Sequence, residues 1–344
     1  MTLRIGHISP RIPVRLVRLV MVVLVVMVVM PILLGPAASV GVAQAPISIP
    51  DRSLKLPTMD ATAKQEAAAF VQAAASLLRS DDPSQVRKGR EMYTKTFSRP
   101  DVNPAYRTAF ASLALPSLKE VVTAEGSLQG LNAIESIKAF NCPDSLSALV
   151  DQASPMKQKS VSLRLAAASG IAPAVRATDL NTAQAESVVK AVASYIDKET
   201  DWMVLSYEIQ AMEVMSVSPR TSKEGQGIAR VLEASAISAL VTKLRKGTAP
   251  PDTIRTINRS LALILSDQLG ETDPGAIIAF KKSLDQSLNT LKDLAKTPPE
   301  NSDAALFAQA GRLAETLQKT HVDTKPGGRG TPRGAGASRT PATR

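Results

Sequence analysis

Few side chains in this chain are equipped for chemistry, and their types exclude more than they allow. Two Ser-x-x-Lys pairs occur, Ser154-Pro155-Met156-Lys157 and Ser187-Val188-Val189-Lys190. On a helix that spacing sets an amine beside a hydroxyl, as when a lysine serves as base for a serine nucleophile. Neither pair is joined by the SDN-like and KTG-like partners that such chemistry uses, so both read as helix surface. Asp81 and Asp82 stand together before Pro83, an acidic pair open to acid–base or metal chemistry. A helix cap accounts for Asp82, and an exposed neighbour accounts for Asp81. Cys142 is the only thiol, and His7 and His321 are the only imidazoles. One chain so composed assembles no His/Cys zinc site, no Ser-His-Asp triad and no internal disulfide. Carboxylate-only sites survive this argument, but the sequence assigns no catalytic, metal or cofactor residue.

The remaining candidates concern binding. Trp202 and Tyr207 share one predicted helix and could line a groove. Trp202, however, lies on an apolar stripe with Leu205, Ile209 and Met212, which favours core packing for the rings. Cys142 reads as a small buried hydrophobe in a turn. Asn258-Arg259-Ser260 fits a glycosylation acceptor but falls inside a predicted helix, so the match reads as incidental. The last segment, Asp323 to Arg344, carries Lys325, Arg329, Arg333, Arg339 and Arg344 between Gly, Pro, Ser and Thr. That spacing suits contact with phosphates or an acidic polysaccharide, and the absence of aromatics removes base stacking. With no large apolar residue beyond Val322, the segment cannot bury enough surface to order itself.

Charge location decides between partner classes. The formal net charge is +10, and the two ends, 1–45 and 322–344, carry eight of those charges. The body between them holds 32 basic and 30 acidic residues, so its net charge implies no nucleic-acid groove.

The elements that must position these residues begin after an export signal. Arg4, Arg11, Arg15 and Arg18 precede the apolar run Leu19 to Met30, and a small-residue region extends to Ala45. This is the layout of a secretory signal peptide, with cleavage expected after Ala43. The alternative is an uncleaved anchor, which would keep the chain on a membrane that it otherwise meets only during export. Residues 44–59 are rich in Pro and read as a linker, so the globule is expected to start near Asp60.

From there the pattern is helical throughout. Aromatics make up only 3% of the chain, so the core must be built from Ala, Leu, Val and Ile, which suits closely packed helices. Asp82-Pro83, Asn103-Pro104 and Asp273-Pro274 each pair a capping side chain with a proline at the first helical position, and Pro143 and Pro251 mark two further starts. Apolar spacing of three and four residues recurs, as in Ile254, Ile257, Leu261 and Ile264. The expected helices are 60–79, 84–97, 104–122, 127–140, 143–152, 157–169, 182–197, 201–216, 224–246, 252–268, 274–296 and 302–320, with Pro116 kinking or ending the third.

Short connections between helices of similar length imply antiparallel neighbours in a bundle or a stacked solenoid. The stretch Gly130 to Ile171 is the clearest unit: helix, tight Cys142-Pro143 turn, helix, break at Pro155, helix. Its part from Asn132 onward resembles HEAT repeats. Pro143-Asp144 opens one helix, and Val161 to Ala168 stands where that family has its V-R-x-x-A-A-like second helix, with Arg164 displaced from the usual arginine position. Later units are about 50 residues long, longer than a typical repeat. The resemblance implies a right-handed α–α superhelix with protein binding as the commonest role, and it carries no catalytic residue. The expected organisation is therefore all-α: a signal peptide (1–43), a linker (44–59), a HEAT-like solenoid of about a dozen helices (60–321) and a disordered basic tail (322–344). The expected function is that of an exported, periplasmic, envelope or secreted, non-enzymatic scaffold binding a protein partner. A polyanion-binding envelope protein acting through the tail and a carboxylate-based hydrolase or lyase are the alternatives.

Overall fold

The computed structural model describes residues 47–123, 127–266 and 274–322. Among them are thirteen helices: α1 (Asp51–Leu54), α2 (Ala61–Leu78), α3 (Pro83–Phe97), α4 (Pro104–Thr123), α5 (Ser127–Lys138), α6 (Pro143–Ala153), α7 (Val161–Ala177), α8 (Thr182–Ile196), α9 (Trp202–Val217), α10 (Lys223–Arg245), α11 (Thr253–Ser266), α12 (Pro274–Lys296) and α13 (Ala304–Val322). No strand occurs in these residues; the one β-type pairing is an isolated parallel bridge between Leu180 and Thr221.

The helix starts follow their capping chemistry. Asp82 accepts from the Ser84 amide at 2.8 Å and Asn103 from the Ala105 amide at 2.9 Å, each just ahead of a proline at the first helical position. Asp81 beside it is exposed. Asn181 and Gln184 form a reciprocal capping box at the start of α8, with bonds of 2.9 and 3.1 Å. In the Cys142-Pro143 turn, Asn141 takes a left-handed φ of 47°, a conformation that Asn tolerates well, and Ser145 Oγ bonds both the Cys142 amide and carbonyl. Cys142 itself is buried, and that burial raises its thiol pKa.

The helices are arranged as two rows. The even-numbered helices α2 to α12 form one and the odd-numbered α3 to α13 the other, and every helix packs on the next member of its own row. Cross-row packing is closest for α2–α3, α4–α5, α6–α7, α9–α10 and α12–α13. Apart from α2 with α5, no substantial contact among the described residues spans more than two helices along the chain. This neighbour-only packing is the mark of an α-solenoid-like fold. Where α3 meets α2, a Cβ on Gly89 would lie 2.9 Å from the Ala74 carbonyl oxygen, so glycine sets that close approach.

Two sequence expectations are corrected, and a third is narrowed. Residues 44–59 are not wholly a linker: Ile49 and Leu54 belong to the core, and the Asn103 amide donates to the Leu54 carbonyl. Three prolines in that stretch hide a helical turn too short to show a period. The helix expected at 104–122 runs to Thr123 with Pro116 inside it, so of the two effects expected of that proline, ending the helix does not occur. The helix expected at 157–169 instead starts after the Ser160 cap and passes Gly170 and Pro173 to Ala177. Gly170 serves packing here and not termination: a Cβ on it would meet Lys138 Cγ at 2.8 Å and Leu149 Cδ1 at 3.1 Å.

Apart from Tyr195 and Phe307, the buried rings gather in one part of the core. Phe70, Tyr93, Phe97, Tyr106, Phe110 and Phe140 form one cluster, with Phe110 in contact with all five others at centroid distances of 4.4 to 6.4 Å. Edge-to-face pairs predominate, the geometry that ring quadrupoles favour. Arg107 ties the cluster's helix ends together, donating to the Phe97 carbonyl and, at 3.2 Å, to the Ala139 carbonyl.

Candidate functional site

Helix α9 is the centre of the polar half of the molecule. Asp201 caps it, accepting from the Met203 and Val204 amides at 2.9 and 3.1 Å. The helix packs against α7, α8, α10 and α11, so its sequence is apolar on most sides, as an enclosed helix requires. Two glutamates interrupt that apolar sequence, Glu208 and Glu213, and both are buried. They belong to two different environments.

Glu208 faces a closed cluster. Next to it, Arg164 of α7 and Glu199 form a buried bidentate pair, with Nε to Oε2 at 2.6 Å and Nη2 to Oε1 at 3.0 Å. Glu199 Oε1 also accepts from the Thr200 and Asp201 amides at 2.8 Å, and Arg164 Nη1 donates to the Gln158 and Lys159 carbonyls. Burial opposes the charge on Glu199, but the hydrogen bonds from Arg164 and the two amides outweigh it and hold the carboxyl below its ordinary range. Lys243 of α10 donates to the Ile196 and Glu199 carbonyls and so caps the end of α8. Glu208 is fully buried, and neither carboxylate oxygen has a hydrogen-bond partner among the described residues. Burial, with the Glu199 charge adding to it, pushes this carboxyl well above the usual range and so favours its neutral form. A cluster closed to solvent in this way is structural.

Glu213 faces an open cleft. Its walls come from α9 (Gln210, Glu213, Val214, Ser216, Val217), α10 (Arg230, Glu233), α11 (Arg259, Leu263, Ile264, Ser266) and the end of α7 (Arg176), around about 450 Å³. That volume lies within the range of small-ligand and peptide side-chain pockets. Ser260 Oγ donates to Glu213 Oε1 at 2.6 Å, and Arg259 reaches the same carboxylate at 3.4 Å while donating to Ser206 Oγ and the Ser206 carbonyl. Ser216 Oγ donates to the Glu213 carbonyl at 2.8 Å and lies 3.5 Å from Glu233 Oε2. Arg230 and Glu233 are buried and both engaged. At the mouth the situation differs: among the described residues, Arg176 and Gln210 have no hydrogen-bond or ionic partner. Val217 and Leu263 are 53% and 44% exposed beside them. The Leu180–Thr221 bridge holds the loop after α7 to the loop after α9, with the Leu180 amide donating to the Arg220 carbonyl at 2.7 Å.

The face of α9 that lines the cleft extends beyond it along the helix. Met203, Tyr207, Gln210, Val214 and Val217 follow spacings of four and three, so they share one face. That stripe runs about 21 Å at 1.5 Å per residue. Met203 and Tyr207 are 40% and 37% exposed. The core role expected for Tyr207 is therefore corrected, because it stands on the open face of α9. Trp202 points elsewhere and is half-buried, while its stripe partners Leu205, Ile209 and Met212 are buried as expected.

The other sequence candidates do not converge on this site. Lys190 pairs with Glu186, and Lys157 pairs with Asp151 at 2.7 Å, so each ammonium is engaged by a carboxylate and not by the serine of its pair. Asn258 is buried and its amide donates to the Leu306 carbonyl at 2.9 Å, which removes it as a glycan acceptor. No group of three or more metal-type ligands occurs among the described residues, and no described helix is long and apolar enough to cross a membrane. Ala43, Lys325, Arg329, Arg333, Arg339 and Arg344 lie outside the described residues. No protein family and no curated protein matches this chain.

Proposed function

We propose that this chain is an exported, non-enzymatic α-solenoid scaffold that binds a protein partner along the open face of α9 and α11. The observation that supports this is the concentration of exposed apolar surface. Of the nine large apolar side chains exposed among the described residues, four (Met203, Tyr207, Val217 and Leu263) stand on this one face. Clustered exposure of that kind marks an interaction surface, whereas isolated exposed residues do not. Export is tested by the mass of the secreted chain, which should begin after Ala43. The binding face is tested by photo-crosslinking in cells from a photoreactive residue at Leu263 or Val217, with Leu128 and Met156 as exposed apolar controls. Discrete adducts from the first pair alone are expected; adducts from the controls alone would move the interface elsewhere.

One observation favours a second reading, a carboxylate-based hydrolase or lyase: Glu213 and Glu233 line the same cleft. Against it, both carboxylates are occupied by internal contacts. Turnover of chromogenic glycosides or esters by the purified chain, abolished by Glu213→Gln, would replace the scaffold reading with this one.

A further inference from the structure

The polar groups of the cleft restrict what can occupy it, and this inference rests on the partner-binding reading above. We propose that the cleft seats an acidic, leucine-bearing segment of the partner, its carboxylate on Arg176 and its aliphatic side chain between Val217 and Leu263.

Three observations carry the argument. First, the carboxylates deeper in the cleft are already engaged from within. Glu213 takes Ser260 Oγ at 2.6 Å and the Arg259 guanidinium at 3.4 Å, so an incoming cation would find no free carboxylate there. Second, Arg176 is the cleft cation with no ionic or hydrogen-bonded partner among the described residues, and Gln210 offers an equally uncommitted amide. A guanidinium binds a carboxylate through two parallel hydrogen bonds, and an adjacent amide adds a donor. Third, the surface around these groups is apolar and elongated. Val217 and Leu263 flank the opening, and the α9 stripe runs on through Tyr207 and Met203. A compact small molecule would leave most of that stripe wet, while an amphipathic segment laid along it would cover the stripe and place its acid at the α7 end.

The experiment uses the purified full-length chain and labelled fourteen-residue peptides of about one helical stripe in length. One peptide combines Glu and Leu, a second replaces each Glu by Gln, and a third replaces each Leu by Ala. Fluorescence anisotropy should show binding of the first, with affinity about tenfold or more weaker for the Gln peptide, as expected for loss of a charge-assisted pair. Arg176→Ala should produce the same loss with the Glu/Leu peptide and little change with the Gln peptide. Leu263→Asp should abolish binding of every peptide, with helicity by circular dichroism reporting that each variant is folded. Equal binding of the Glu and Gln peptides, or unchanged affinity in folded Arg176→Ala, would overturn the proposal. If cellular crosslinks form at Leu263 while none of the peptides binds, the acidic-segment inference fails and the partner surface stands. If neither occurs, both fall.

Discussion

The two halves of this solenoid use the same helix-pair layout and fill it differently, one with clustered rings and the other with buried charges set among aliphatic side chains. From α2 to α6 the interior holds six interlocking rings. From α7 to α11 the interior is aliphatic with one ring, Tyr195, and also takes in charged side chains: Arg164, Glu199, Glu208, Glu213, Arg230 and Glu233 are all buried. The four phenyl rings gain from burial without needing any partner, whereas each buried charge needs a partner placed by another helix. The first half is therefore a support built for stability. The second accepts the cost of desolvated charges, and it is this half that carries the open cleft.

The largest effect should come from the ring cluster. Phe110→Ala removes the ring that touches the other five, and a loss of about 3–5 kcal/mol is expected in urea unfolding. A loss confined to the exposed-residue range would show that the cluster is not the stabilising core. Arg164→Ala should cost a comparable amount, about 3–5 kcal/mol, because it leaves Glu199 charged and buried. Replacing both partners, as in Arg164→Met with Glu199→Leu, should recover most of that loss. A double variant as unstable as the single would show that the pair contributes more than mutual compensation.

Glu208→Met goes the other way. It removes a buried carboxyl that lacks a partner and should stabilise the fold by about 1–3 kcal/mol. The pH dependence follows from the directions of the two shifts. Glu208 has a raised folded pKa, so its contribution is complete below the ordinary carboxylate range and is lost as pH rises through the folded value. Glu199 has a lowered folded pKa, so its contribution is complete above that range and is lost as pH falls through the folded value. Wild-type stability should decline on both sides of a maximum, and Glu208→Met should flatten only the alkaline side. A decline of unchanged slope in the variant would assign that limb to another group. The smallest effect belongs to Tyr93→Phe, which deletes a buried hydroxyl without a hydrogen-bond partner and should be neutral or stabilising by about 1 kcal/mol in thermal unfolding.

Fold and site were legible to different depths, for a physical reason. Helices announce themselves locally, through Asp or Asn before Pro and through apolar spacing, and those signals located α2 to α13 within a few residues except for the displaced α7. The buried charges depend on residues far along the chain. Arg164 meets Glu199 across 35 positions, Ser260 meets Glu213 across 47, and Arg259 meets Ser206 across 53. No local pattern announces such a pairing, and each arginine taken alone reads as surface. One signal was present: Glu208 and Glu213 stand inside Trp202–Val217, a segment otherwise almost without charge. A carboxylate on such a helix must be buried with its neighbours unless the helix has an open face, and α9 illustrates both conditions.

Packing restricted to near neighbours has a consequence for how any ligand would be sensed. In a tightly cross-linked globule, a bound partner can alter amide protection almost anywhere. Here the stabilisation must pass from helix pair to helix pair and should fade within one or two of them. Hydrogen exchange in α7 to α11 would slow on occupancy of the cleft, while the amides around Phe70 and Tyr93 kept their rates. The ring-filled half would thus serve as a built-in reference against which events at the other half can be read.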